Sequence, residues 1–148
     1  MVVVLHTSYN MDSASGVNHP PVVLVVDDHE DTRQMSLLVL QSQGFMAVAV
    51  SGGDAGFAYA CEHPPAVIVT DLAMPDGDGW QMLQRLSSDA RTKDIPVVML
   101  TACATETVRQ RARAEGCAAF FFKPCAPDVL ARELRRLIAA RAQSAQAS

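Results

Sequence analysis

Val67-Ile-Val-Thr-Asp-Leu-Ala-Met-Pro-Asp-Gly-Asp-Gly79 runs an apolar, β-branched segment straight into an acid, Asp71, and then into a turn built on Met74-Pro75 and two glycines. Such a run, bounded by proline and glycine, reads as a strand that stops where the turn chemistry begins. Asp71 therefore stands at the carboxyl end of a strand, where open α/β sheets place their ligand and reaction sites.

The same arrangement recurs on either side. Val22 to Val26 is a continuous apolar run, as expected of a strand covered on both faces, and Asp27-Asp28 end it. The helix that follows carries Met35, Leu38 and Val39 at the i, i+3, i+4 spacing of one face and stops near Gly44. Phe45 to Val50 is the second strand. Ser51 is expected to cap a helix containing Phe57, Ala58 and Cys61, which His63-Pro64-Pro65 halts.

The opening stretch supplies the third strand, Ala66 to Thr70, and its turn launches a helix with Trp80, Leu83 and Leu86. Val97 to Leu100 is the fourth strand, ending at Thr101, and a more polar helix spans about residues 105–115 before Gly116. Ala118 to Phe122 is the fifth, ending at Lys123-Pro124. The last helix has Pro127 in its first turn and is expected to bury Leu130, Leu134, Leu137 and Ile138. Five strand–helix alternations predict a doubly wound parallel sheet with helices on both faces, in the flavodoxin-like order 2-1-3-4-5.

The polar stretch closed by His19-Pro20-Pro21 makes residues 1–20 an expected flexible leader, with a short apolar patch at Val2 to Leu5. Residues 21–141 are the expected domain and residues 142–148 a short tail. With 148 residues, 49% hydrophobic and 19% charged, one buried core is expected and disorder is not. The net charge of −4 argues against nucleic acid as a direct partner. No apolar run approaches the ~20 residues that cross a bilayer, and the N-terminus lacks the pattern of a secretory signal, so no membrane span is expected and the cytoplasm is the expected location. Cysteines 61, 103, 117 and 125 form no CxxC pair, which speaks for buried, reduced thiols rather than a zinc site.

Four of the five expected strands end in a polar or ionisable side chain: Asp27-Asp28, Asp71, Thr101 and Lys123. In the order 2-1-3-4-5 those four strands are neighbours, so the side chains converge on one pocket at the switch point. Three carboxylates so close repel one another and call for a cation. An all-oxygen donor set suits a hard divalent ion such as Mg²⁺. Lys123, one of only two lysines, offers a compact positive charge to a phosphoryl oxygen, and Thr101 a hydroxyl.

Taken together, Asp27-Asp28, the Asp71 to Gly79 turn, Thr101-Ala102 and Lys123-Pro124 make the chain resemble the receiver domain of two-component response regulators, over about residues 21–141. The resemblance implies that Asp71 accepts a phosphoryl group from a histidine kinase, a histidine phosphotransfer protein or a small acyl phosphate. It implies that Asp28 binds Mg²⁺ directly and Asp27 mainly through water, that the backbone carbonyl of Ala73 completes the protein ligands with Asp71, and that Thr101 and Lys123 contact the phosphoryl oxygens. The Lys123–Pro124 bond would be cis. Such a protein is a signalling phosphoprotein rather than a conventional enzyme, able to catalyse its own phosphorylation and dephosphorylation. It would switch the face made by the fourth helix, fifth strand and fifth helix, toward an unidentified output protein or domain or into a homodimer. Phe120 holds the position of the family's switch aromatic, without a hydroxyl.

Three alternatives fit these residues less well. An aspartyl-nucleophile phosphatase or phosphotransferase of the haloacid-dehalogenase kind needs a second acid two residues on, where this chain has Ala73. A flavodoxin-like binding module needs a phosphate loop after the first strand, which is lacking, and a receiver-shaped scaffold without phosphorylation has no need of an intact acidic pocket. Asp78 reads as a cap for the third helix, Asp76 as part of the same turn, and His29, Glu30 and Asp31 as a solvated first turn. Arg109, Arg111 and Arg113, with Arg132, Arg135 and Arg136, form either a basic output face or solvated helix surfaces. Ala73 and Cys103 occupy positions that border the phosphoryl group in the resembled family. The expected outcome of the double substitution Ala73→Asn, Cys103→Glu is a changed autodephosphorylation rate, and an unaltered decay of the phosphorylated protein would refute it.

Overall fold

The computed structural model describes residues 3–5, 20–72, 74, 79–102 and 105–146. Its elements are β1 (Val3–Leu5), β2 (Val22–Val26), α1 (Glu30–Ser42), β3 (Met46–Val50), α2 (Gly53–Glu62), β4 (Val67–Asp71), α3 (Gly79–Ser88), β5 (Val97–Thr101), α4 (Glu106–Ala114), β6 (Ala119–Phe122) and α5 (Pro127–Gln146). They build one sheet in the order β1-β3-β2-β4-β5-β6. Strands β2 to β6 are parallel and follow the expected 2-1-3-4-5 order. No helix among the described residues is long and apolar enough to cross a membrane.

Because successive strand residues point to opposite faces, each apolar strand feeds two cores. Leu24 and Val26 of β2 join Ile68, Met99 and the α3 residues Met82, Leu83 and Leu86 on one face. Val23 and Val25 join Val69, Val98, Leu37 and Leu40 of α1 and Leu134 of α5 on the other. This double coverage is why the strands are apolar runs rather than alternating ones.

The structure adds to or departs from the sequence reading in several places. Residues 3–5, expected to belong to a flexible leader, pair antiparallel with β3, Val4 opposite Val48. The parallel sheet would otherwise end at β3 with a row of unpaired backbone groups, and a Val-Val-Leu segment is well suited to cover it. In α1 the inward residues are Leu37 and Leu40, whereas Met35 and Leu38 are 63% and 59% exposed. The helix is apolar at Met35, Leu37, Leu38, Val39 and Leu40, so spacing alone does not single out the buried side. Helix α2 begins after Gly52 rather than with a Ser51 cap, and it buries Gly53, Gly56 and Ala60 while Phe57 and Cys61 stay half-buried. The expected tail is helical as far as Gln146, as its run of Ala, Arg and Gln favours. The described cysteines 61, 117 and 125 are free, as expected, but half-buried rather than buried. Cys103 lies outside the described residues.

Gly56 sets the approach of α2 to the sheet. A Cβ there would lie 2.9 Å from both Met82 Sδ and Val26 Cγ2. Met82 is flexible at its end, but Val26 is fixed within β2. Gly56→Val is expected to destabilise the fold by about 1–3 kcal/mol through overpacking, measured as a lowered urea midpoint with unchanged slope.

Candidate functional site

The register of the strands assembles the site. Val26 pairs with Thr70, so Asp27 and Asp71 follow on adjacent strands at the carboxyl edge. Asp71 pairs with Leu100, which brings Thr101 one step further on the next strand, and Thr101 pairs with Phe122, so Lys123 comes directly after. The Lys123 backbone N–H donates to Thr101 O at 2.9 Å. The Lys123–Pro124 peptide is cis, as the resemblance implies.

Lys123 is the electrostatic centre of this edge. Its Nζ donates to Asp71 Oδ2 at 2.8 Å and to Asp27 Oδ2 at 3.3 Å. Asp27 is only 4% exposed and Thr101 2%, so both act in a largely water-free setting. Burial works against the charge of Lys123, yet the hydrogen bond to Asp71 and the charges of Asp27 and Asp71 outweigh it, and its pKa is raised.

Asp27 is held from several sides. Its backbone N–H donates to Val50 O, its Oδ1 accepts from the His29 backbone N–H at 2.9 Å, and its carbonyl accepts from Arg33 Nη1 at 2.8 Å. Asp28 Oδ1 is shielded from solvent and has no hydrogen-bond donor among the described residues, although the His29 Nδ1 lies 3.0 Å away. The donor atoms of Asp27, Asp28 and His29 lie within 4.8 Å of one another. A carboxylate oxygen left without a donor beside two further carboxylates fits a hard divalent cation, which supplies the missing positive partner.

Asp27, Asp28, Asp71, Thr101 and Lys123 thus gather on one edge, as the sequence reading expects. Ala73, Asp76, Asp78 and Cys103 lie outside the described residues. Phe120 is half-buried and meets Phe122 edge-on at 6.4 Å. Of the six arginines, Arg135 donates to Gln43 O at the end of α1 and stacks on Phe45, and Arg136 pairs with Glu133.

Sequence reasoning missed Arg33 and Gly79. Arg33 braces the backbone of Asp27 from the first turns of α1, and only its position six residues past the acid hinted at this. Gly79 donates its N–H to Leu72 O at 3.0 Å, and a Cβ there would lie 2.7 Å from Asp71 O. No larger residue lets α3 start this close to the Asp71 backbone.

The family described as "Response regulator receiver domain" matches the chain over residues 23–135. Response regulator Rre1 of Synechocystis sp. is 36% identical over 129 residues, covering 86% of this chain and 56% of its own length. Two-component response regulator ORR11 of Oryza sativa subsp. indica is 31% identical over 126 residues, 84% of this chain and 86% of that protein. The crystal structure of Vibrio cholerae chemotaxis protein CheY4 superposes with a TM-score of 0.76 at 28% identity, over 80% of this chain and 99% of that one. The chain spans about half the length of the first curated relatives it matches.

Replacing Lys123 by Met leaves its two acid partners without their shared counter-charge. In magnesium-free buffer near pH 7 the substitution is expected to lower the unfolding free energy by about 1–2 kcal/mol, the worth of charge-assisted hydrogen bonds at a half-buried site. A raised lysine pKa stabilises the fold in full below the ordinary value of 10.5 and loses that contribution as pH climbs through the folded-state value. The gap between wild type and Lys123→Met should therefore hold steady from neutral pH to about 10 and close above 10.5, followed by urea unfolding across that range.

Proposed function

The chain belongs to the response regulator receiver family, and on that premise we propose that Asp71 is its phosphoacceptor. A carboxylate oxygen of Asp71 attacks the phosphorus of a phosphohistidine or an acyl phosphate. A new O–P bond forms as the bond to the donor breaks, and the leaving group keeps the electron pair. Lys123 moves from pairing with the unphosphorylated carboxylate to balancing charge on the phosphoryl oxygens, and the Thr101 hydroxyl donates to them. Asp27, Asp28, Asp71 and the Ala73 carbonyl are the proposed holders of Mg²⁺, which when bound neutralises charge on the transferring group. Phosphorylation and dephosphorylation at this site are the chain's own catalysis, in the service of signalling.

The observation that carries this reading is Lys123 Nζ bridging Asp71 and Asp27, beside a buried Asp28 oxygen that accepts no hydrogen bond among the described residues. A phosphoacceptor of this kind needs a carboxylate, a mobile counter-charge and oxygen ligands for a cation at one spot. An apolar hollow lined by Met35, Val39, Leu100, Pro124 and Leu130 opens beside Lys123. With the exposed Met35 and Leu38 it suits the helical surface of a histidine kinase or histidine phosphotransfer protein presenting its phosphohistidine. We assign the receiver unit to residues 21–141 and place it in the cytoplasm. Its output runs through α4, β6 and α5 to a partner protein, an attached domain or a second copy.

Incubation with acetyl phosphate and Mg²⁺ tests the reading. The expected outcome is a hydroxylamine-labile phosphoryl label on the wild type, lost on chelation and absent from Asp71→Asn. A label that persists in Asp71→Asn would overturn it.

A further inference from the structure

Trp80, the only tryptophan of the chain, is the second residue of α3 and follows Gly79. Through Gly79 the start of this helix rests on the backbone of Leu72 and Asp71, so Trp80 is rigidly placed with respect to the proposed phosphoacceptor. On its other side the Trp80 ring carries the Arg111 guanidinium of α4 at 4.3 Å from its centroid. One turn along, Gln84 Nε2 donates to Glu115 Oε1 at 3.4 Å, and Arg111 Nε donates to the same oxygen at 2.9 Å. Glu115 Oε2 is buried with no hydrogen-bond donor among the described residues.

Trp80 and Gln84 are four residues apart on α3, and Arg111 and Glu115 are four residues apart at the end of α4, so two helix faces meet side chain to side chain. Elsewhere α4 is held by Arg109, 4.6 Å from the Phe122 ring centroid, and by Val108, half-buried against the core. Among its residues only Ala112 is buried, so few apolar contacts bind it to the sheet and the polar contacts to α3 carry an unusual share.

We propose that Trp80, Gln84, Arg111 and Glu115 form a clip that holds α4 against α3 in the unphosphorylated conformation and so slows phosphorylation of Asp71. The inference rests on the phosphoacceptor reading above. Contacts made in one of two conformations bias the equilibrium by the difference in their strength, and the bias is reciprocal. Loosening the clip favours the phosphorylated conformation, and phosphorylation loosens the clip. A half-exposed cation–π contact with one charge-assisted hydrogen bond sets the scale at about two- to fivefold in rate.

Trp80 reports on its own clip. The full chain is treated with acetyl phosphate and Mg²⁺ while Trp80 emission and the phosphorylated fraction by intact mass are followed in parallel. The expected result is an emission change that tracks the phosphorylated fraction. Arg111→Gln and Glu115→Gln, which break two different contacts of the clip from its α4 side and leave the acidic edge intact, should both phosphorylate about two- to fivefold faster. Their starting emission should be displaced toward the phosphorylated value. Emission that stays constant while the mass shows phosphorylation, or wild-type rates in both variants, overturns the clip. No phosphorylation of the wild type by mass overturns the phosphoacceptor reading, and the clip falls with it.

Discussion

The carboxylates of Asp27, Asp28 and Asp71 share the carboxyl edge of one sheet, and balancing their charge is the constraint on which the rest of the site depends. Lys123 meets part of it by donating to Asp71 and Asp27 together. It leaves Asp28 Oδ1 without a donor among the described residues. Acidic groups gathered with a single lysine leave the edge short of positive charge, which is the basis of the proposal that it binds a cation and accepts a phosphoryl group. An arginine in place of Lys123 would be a planar fork, poorly shaped for the pivot from two carboxylates to a phosphoryl group that the proposed transfer requires.

That balance is only possible because the strands hold their register. Five parallel strands, covered on both faces, bring the residues after Val26, Thr70, Leu100 and Phe122 to one edge without any loop having to fold back. Local close approaches then fine-tune the edge. Gly79 lets α3 begin against the Asp71 backbone, and Arg33 braces the Asp27 carbonyl from α1. The antiparallel β1 is peripheral to this chemistry, and its role is to cover the backbone groups of β3 at the far side of the sheet.

The face opposite α1 and α5 is less evenly held. Helix α3 is anchored by Met82, Leu83 and Leu86, whereas α4 buries Ala112 alone and leans on Trp80 and Gln84 through polar contacts. Helices with weak apolar anchoring are the ones a change at a distant site can displace at small cost. The difference between α3 and α4 thus separates the part of the fold that fixes the proposed acceptor from the part proposed to respond to it.

Much of this was legible in the residue order. A β-branched run that stops at a carboxylate, repeated with a different polar ending on each neighbouring strand, specifies strands, their parallel arrangement and the edge where Asp27, Asp28, Asp71, Thr101 and Lys123 meet, because strand-end position and strand order together leave little freedom. What sequence could not decide was orientation and contact at longer range. Helix α1 is apolar at nearly every position from Met35 to Leu40, so only docking on the sheet selected Leu37 and Leu40 and left Met35 and Leu38 exposed. Val3 to Leu5 had strand propensity but no local partner, and the free edge of β3 supplied one. Arg33, Gly79 and the meeting of Trp80 with Arg111 follow from distances between segments remote in the chain. Periodicity carries information along one element, and only packing carries it between elements.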